Sequence, residues 1–443
     1  MLYEDQLEAA RKAEDWLNND NTLSCGLWAS AGFGKSWMTK HLIDEVVLGN
    51  SNYIPLLTSM THSAVDVLKD FTGMDVTTLH SLMGWVPMVN RDTGEEYLST
   101  PESRKDSKRV EPLNSQTLLI IDEAGLMGSE QLKLVQNTAR MVGARILFVG
   151  DHKQCYPVDK DVKVMSIPAY EASDCYLELT IPKRVDEGDM IYKLSQAYRK
   201  SVDGGTQPKL KTMLNTDGSG KGVRHVDDIE EWAYKAFKAG VRDGNTANIK
   251  VLAFTNDRCL NLNRKIRKNV MGLTDPCPIV GELMVSNTSI TDATNENILI
   301  RNNQLLKVAT VERTSSYGLE GAMVQYVDED GEPVEEIVFV PSSPSALKVR
   351  LHALATEAKE HTAEKRKDES KLTWQAFFSL KDSVADIRYT YAMTINKSQG
   401  TTLKHVLIDL WDVSRCKDKG QAARLAYTAV TRATDYVTIE GQL

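Results

Sequence analysis

Residues 29–36 read Ala-Ser-Ala-Gly-Phe-Gly-Lys-Ser, an order of residue types suited to holding a polyphosphate. Gly32 and Gly34 let the backbone approach an anion closely. A loop that leaves a strand and enters a helix here aims consecutive N–H groups, and the helix's partial positive charge, at that anion. Ala31, Gly32, Phe33, Gly34, Lys35, Ser36 and Trp37 are therefore the candidate nucleotide-binding run. Lys35 can reach the β- and γ-phosphates, and Ser36 can ligate Mg²⁺. Ala29 stands where the general pattern has Gly, a difference of one methyl group. Downstream, LLIIDEAG at 118–125 is a buried-type strand ending in two acids. Asp122 can hold a magnesium ion through water, and Glu123 can orient or deprotonate an attacking water. A third apolar run, RILFVGD at 145–151, is followed by HKQCYPV; Gln154 is placed to sense a γ-phosphate and Asp151 to orient it. The phosphate loop and the acid pair together point to hydrolysis of ATP or GTP.

These residues need strands to end on. Short apolar runs at 23–28, 54–58, 117–121 and 145–149 alternate with amphipathic stretches such as 36–47 and 62–70. That alternation predicts a parallel sheet wrapped by helices, with ligands at the carboxyl ends of its strands. Residues 86–116 interrupt it with a polar stretch holding a Asp-Thr-Gly-Glu-Glu turn signal, which fits a protruding hairpin or loop. Residues 203–222 read as an exposed connection. Alternation resumes at 249–254, 388–393, 405–410 and 435–439. Between these lie a run of short strands at 280–345 and a charged helical stretch at 346–383. Two α/β halves, each with an insertion, describe the chain most simply.

At 443 residues the chain exceeds one ordinary core. Its 42% hydrophobic and 26% charged content is that of a folded globular protein. No run approaches the roughly 20 apolar residues that a membrane helix needs, and the charged N-terminus lacks the apolar segment of a signal peptide. The six cysteines are scattered without a Cys-x-x-Cys pair, which suits a reducing cytoplasm and argues against zinc or a disulfide frame. The net charge of −8 lends no support to nucleic-acid binding. A local basic groove would still suffice for a protein that must release its track.

The ordered set GFGKS, SMTHSAV, TLHSL, IIDEAG, GDHKQCYPV, ELTIPKR, AFTN, NKSQGTTL and AYTAVTRA resembles the motif series of superfamily 1 helicases, in particular the RecD-like branch. The resemblance runs from Gln6 to about Val437. Asn396 stands where that series often has His.

The resemblance implies an α/β fold of two RecA-like P-loop domains with ATP between them. The first would span 1–178 with a hairpin insertion at 86–112. The second would span 179–280 and 384–443, interrupted by an insertion at 281–383 made of an SH3-like module (281–345) and a charged helical arm (346–383). By the same resemblance Gln6 contacts adenine, Lys35 and Ser36 serve phosphate and Mg²⁺, and Asp122 and Glu123 serve metal and water. Gln154 senses the γ-phosphate, and Arg184 and Arg432 are arginine fingers. An arginine reaching across a domain cleft stabilises charge on the transferring phosphoryl group and couples closure to the nucleotide. Thr61, His62, Thr78 and His80 resemble strand-contacting positions of the first domain. Phe254, Thr255, Asn256, Thr394, Lys397, Ser398 and Gln399 resemble those of the second. Thr, Ser and His at strand ends also cap helices, so both readings stay open for them. Tyr97 in the hairpin can stack on a base, and Arg104, Lys105, Lys108 and Arg109 can touch phosphates or form a solvated loop. Trp374, Phe377 and Phe378 fall at helical spacing and read as packing.

The expected activity is ATP-driven movement along single-stranded DNA, 5′ to 3′, with duplex unwinding. The expected partners are single strands and single-strand/duplex junctions, with a single-strand-binding protein or replisome proteins possible. The expected state is a monomer without membrane contact, in the cytoplasm (a bacterial host's if the chain is viral). The alternatives are a translocating ATPase that does not unwind and a nucleotide-dependent switch.

Overall fold

The structure, a computed structural model, describes residues 2–19, 22–50, 52–89, 96–101, 113–157, 166–182, 188–287, 290–291, 298–302, 304–328, 331–334, 337–384 and 386–443. The chain divides into two compact units. One comprises Met1–Met83, Val110–Val270 and Tyr391–Leu443; the other comprises Gly84–Arg109 and Met271–Thr390.

The first unit holds two six-stranded sheets. In one the strand order is Val76–Thr78, Ile54–Ser59, Thr117–Asp122, Arg145–Gly150, Ser24–Ala29, Cys175–Leu179. Every pairing in it is parallel. The strand Ser24–Ala29 is buried along its whole length, and so is all of Thr117–Asp122 except its last residue. Such near-continuous apolar runs are what a parallel sheet covered on both faces requires. Leu27, Met38, Ile43, Leu57, Ile120, Leu147 and Val149 form the core on one side of it. The expected helix over 36–47 is present as Lys35–His41, continued by a wider π-helical turn, Leu42–Val47, whose Leu42, Ile43, Val46 and Val47 are all buried. From Ser24–Ala29 the chain crosses two strands to Ile54–Ser59. The strand order therefore reverses beside the phosphate loop, where open α/β sheets bind ligands.

The second sheet runs Ala392–Thr394, Ile249–Ala253, Leu403–Asp409, Ala433–Glu440, Gly222–Val226, Met213–Leu214. Its first five strands are parallel, and Met213–Leu214 adds an antiparallel edge. That edge strand lies within the stretch expected to be a connection. Ile191, Leu194 and Tyr198 of the helix Met190–Val202 share this sheet's core with Leu425, Ala426 and Val430 of the helix Lys419–Val430. The helices begin on side-chain caps: Asp189 accepts from Ile191 N and Tyr192 N, and Asp418 from Gln421 N.

In the second unit, Val86–Val89 and Glu96–Ser99 pair as an antiparallel hairpin in which Met88 lies opposite Tyr97. A five-stranded antiparallel sheet runs Val338–Pro341, Leu319–Val327, Leu305–Ser316, Leu283–Ser286, Ile387–Tyr389. Two helices follow, Pro344–Ala363 and Lys367–Ser383. Trp374 and Phe378 are buried with Ala358, and Phe377 packs against them, so this aromatic stripe holds the two helices together.

The expected strand at 388–393 is corrected. Ile387–Tyr389 pairs antiparallel in the second unit, whereas Ala392–Thr394 runs parallel to Ile249–Ala253 in the first. The chain changes sheets between them, where Tyr391 is buried and its carbonyl accepts from Val251 N. Two adjacent apolar runs carry no signal of such a change. Arg104, Lys105, Lys108 and Arg109 lie outside the described residues.

Candidate functional site

The carboxyl ends of the first sheet's strands carry the candidate chemistry. Gly32 and Gly34 have φ of 83° and 85°, left-handed values that glycine adopts without strain. They turn the chain from Ser24–Ala29 into the helix Lys35–His41, whose first-turn N–H groups have no acceptor within the helix. Lys35 Nζ donates to Ala29 O (3.0 Å) and Ser30 O (3.3 Å), folding its cation back over the loop. Phe33 is buried in the first core, so only its backbone faces the loop. Trp37 is exposed and stacked on His41, with ring centroids 5.4 Å apart.

Gln6 is 3% exposed, and its Oε1 accepts from Tyr3 N (3.1 Å) at the start of the helix Glu4–Asn19.

Asp122 ends its strand, and Glu123 follows with φ 52°, a left-handed conformation that is costly for a residue with a side chain. Burial and the neighbouring Glu123 push the Asp122 carboxyl up to about 7, despite opposition from Lys35. A buried carboxyl so placed ionises more readily beside a cation. The donor set therefore fits a polyphosphate with a divalent cation: a lysine, helix first-turn N–H groups, and the Asp122 carboxyl with Glu123 beside it.

Asp151 follows the strand Arg145–Gly150 and is 3% exposed. Burial alone would raise its carboxyl. Arg199 and Lys35, with the Tyr427 hydroxyl, outweigh that and hold it down at about 2. Arg199 Nη1 donates to Asp151 Oδ1 (2.7 Å) and lies 3.2 Å from the Tyr427 hydroxyl. Tyr427 donates to Asp151 Oδ2 (2.6 Å), and its oxygen is 2.7 Å from Ser30 Oγ. Tyr427 belongs to the second sheet's core and Arg199 to the helix Met190–Val202 packed into it, so this network ties the two sheets together at the phosphate loop. Asp151's contribution to stability is complete above about pH 4 and is lost as pH falls through about 2. In an acid titration followed by circular dichroism, Arg199→Ala will move the unfolding midpoint to higher pH.

Gln154 is buried and its Oε1 accepts from Gln399 Nε2 (3.4 Å). Arg432 is 6% exposed. Its guanidinium donates to Thr428 O (3.2 Å), Thr401 O (3.4 Å) and Thr431 Oγ1 (3.1 Å). Arg184 lies outside the described residues.

The candidate strand-contacting residues divide. Thr61 caps the helix His62–Thr72 by accepting from Ala64 N (3.3 Å), and Thr78 accepts from Ser81 N (3.2 Å). His80 Nε2 is 3.0 Å from Gln131 Nε2, and burial together with His62 keeps its imidazole below its usual pKa. Phe254 packs against the second core, Thr255 donates to Asp412 (3.0 Å), and Asn256 is exposed. Thr394 and Lys397 are partly exposed. Ser398 is corrected: it is fully buried and donates to Ile395 O (2.7 Å), which removes its side chain from any surface-bound strand. Gln399 is buried and turned to Gln154 instead. Gly400 has φ 77°, and a Cβ there would meet Thr61 Oγ1 at 3.2 Å and Ser63 Oγ at 3.6 Å. The segments around Thr61 and Lys397 are therefore brought together; Tyr97, 48% exposed, belongs to the other compact unit.

Comparison with known proteins agrees with this layout. A family profile described as an AAA domain matches residues 1–215, and one described as a UvrD-like helicase C-terminal domain matches 389–439. The chain is 26% identical over 434 residues to the ATP-dependent DNA helicase dda of Enterobacteria phage T4, covering 91% of each chain. The chain is thus similar to superfamily 1 helicases of the RecD-like type. Over 142 residues it is also 32% identical to the ATP-dependent RecD2 DNA helicase of Deinococcus radiodurans, covering 32% of this chain and 17% of that one. In fold the chain resembles a solved structure from work on DNA unwinding at forked duplex DNA by two coordinating Pif1 helicases. The TM-score is 0.53 at 16% identity, over 100% of this chain and 92% of the other. Among the described residues no helix is long and apolar enough to cross a membrane.

Several residues that shape the site were not singled out in the sequence. Arg199, Arg424 and Thr428 look like ordinary helix-surface residues until the two sheets are set side by side. Asp412, 5% exposed, accepts from Phe254 N (2.9 Å) and Thr255 N (2.7 Å) and so fixes the 254–256 turn. The one available signal was spacing: 424, 427 and 428 share a face of one helix.

Proposed function

We propose that this chain is an ATP-dependent DNA helicase that moves 5′ to 3′ on single-stranded DNA and separates the duplex ahead of it. The observation that carries the reading is the joining of the two sheets at the phosphate loop: Tyr427 of the second touches both Ser30 and Asp151 of the first. A nucleotide bound there would feel any change in how the two sheets meet. The likeness to a phage DNA helicase over 91% of each chain supports the choice of activity and track.

In this reading Lys35 leaves the Ala29 and Ser30 carbonyls for the β- and γ-phosphates of ATP. Ser36 and Asp122 would hold Mg²⁺, which when bound would supply positive charge to the phosphates. Glu123 takes the proton of the attacking water as the bond from the γ-phosphorus to the ADP oxygen breaks. Gln154 orients that water, and Arg432 and Arg184 meet the charge on the transferring group. Turnover moves the two halves, and grip on the strand alternates between the Thr61–His62 and Thr78–His80 segments and the 254–256 and 394–397 segments. In this reading one chain supplies every group named above, which supports action as a monomer, and the place of action is the cytoplasm, a bacterial host's if the chain is viral. Single-strand-binding or replisome proteins would meet it at forks.

The deciding experiment is steady-state ATP hydrolysis with and without a single-stranded DNA oligonucleotide, with Lys35→Ala as the blank. Strong stimulation that the variant loses supports the motor; turnover indifferent to DNA overturns it. Unwinding is tested separately at Tyr97. Stacking on a base contributes roughly 1–3 kcal/mol. Tyr97→Ala is therefore expected to slow strand displacement about tenfold or more while single-strand-stimulated hydrolysis stays near wild type. Equal strand displacement by the variant would remove Tyr97 from the unwinding step.

A further inference from the structure

The loop 151–156, which carries Gln154, extends from the first sheet but is held by the second sheet's helix Lys419–Val430. Arg424 Nη1 donates to His152 O (2.6 Å) and to Gln154 O (2.9 Å). Its guanidinium also lies over the Tyr156 ring, 4.2 Å from the centroid. One turn further on, Thr428 Oγ1 accepts from Cys155 N (3.1 Å), and Tyr427 donates to the Asp151 carboxylate. Positions 424, 427 and 428 lie on one face of the helix, and that face engages five of the loop's six residues.

We propose that Arg424 is a positioning residue for ATP turnover: by gripping the main chain on both sides of Lys153, it sets where Gln154 stands relative to the γ-phosphate. The inference rests on the reading of Gln154 given above. The chemistry is specific. One guanidinium nitrogen, Nη1, serves both carbonyls at once, and the group lies over the tyrosine ring. A loop fastened by its backbone moves with the element that fastens it. Displacement of the second sheet's helix is therefore delivered to Gln154 directly, whatever its own side chain contacts. Arg424 touches neither nucleotide nor strand in this role. Its loss should lower kcat and leave ATP affinity nearly intact.

The test uses the full chain and two replacements. Arg424→Met keeps an apolar stem over Tyr156 but removes every N–H donor. Arg424→Lys keeps a cation that can reach a carbonyl. Arg424→Met is expected to lower single-strand-stimulated kcat on the order of 10²-fold, the scale of an angstrom-level misplacement. KM for ATP and binding of a fluorescent single-stranded oligonucleotide should each change by less than about threefold, within ordinary uniform-binding effects. Arg424→Lys should recover most of the lost kcat. Wild-type turnover in Arg424→Met overturns the proposal, as does a rise in KM with kcat unchanged. So does an Arg424→Lys variant that folds to the wild-type melting temperature yet turns over no faster than the Met variant. If the wild type itself ignores DNA, it is the helicase reading that fails; Arg424 is then judged on basal turnover, with Lys35→Ala as zero.

Discussion

Replacing Arg432 with alanine will reduce single-strand-stimulated ATP turnover by about 10³–10⁵-fold, the range in which arginine fingers act. The structure gives a reason beyond position. Arg432 is buried, and its guanidinium hydrogen bonds go to neutral oxygens of Thr428, Thr401 and Thr431. A buried cation held only by neutral acceptors is incompletely compensated, and a phosphate oxygen is a stronger acceptor than any of the three. The same contacts predict a structural cost. Alanine would leave the Thr401 and Thr428 carbonyls short of a donor, lowering stability by about 1–3 kcal/mol. Single-turnover hydrolysis and a thermal melt separate the two effects. An Arg432→Ala protein that melts normally and hydrolyses ATP within tenfold of wild type would exclude the finger role.

Lys35→Ala should lower turnover by roughly 10²–10³-fold, as expected when one preorganised electrostatic group is removed from a transition state. Here the structural cost is small. Lys35 is partly exposed, so water can take the place of its ammonium on the carbonyls of Ala29 and Ser30. About 1 kcal/mol or less should be lost, so an unchanged melting temperature with abolished hydrolysis is the expected pair of results. A variant hydrolysing ATP at the wild-type rate would remove the phosphate-site assignment, and with it the acid pair's role.

The phosphate loop and acid pair were legible because local sequence alone sets them. A fully buried parallel strand reads as a short apolar run, and what it ends in is printed next. The capping bonds of Thr61 and Thr78 were legible only as one of two readings, since a hydroxyl that caps a helix and one that meets a strand need the same place. For Gln6 the resemblance points to a base, and the fold adds a use of its oxygen on Tyr3 N that the sequence did not show. Ser398 was misread because spacing gives a residue's order in a motif but not which side of a turn it faces. Arg424 and Gln154 lie 270 residues apart, so no window of sequence contains both the carbonyl and its donor. Main-chain acceptors in particular leave no trace in residue type. The sheet change near Tyr391 was invisible for a related reason: pairing partners, not composition, decide which sheet a short run joins.

Gly400 acts as a clearance gauge. A single methyl group at its Cβ would press on the Thr61 hydroxyl at 3.2 Å, and its φ of 77° disfavours any residue that carries one. The close approach of the 61–63 segment to the turn after Ser398 thus depends on an atom that glycine lacks. In the proposed motor, where these segments are the two grips, a larger residue at 400 would act as a shim between them.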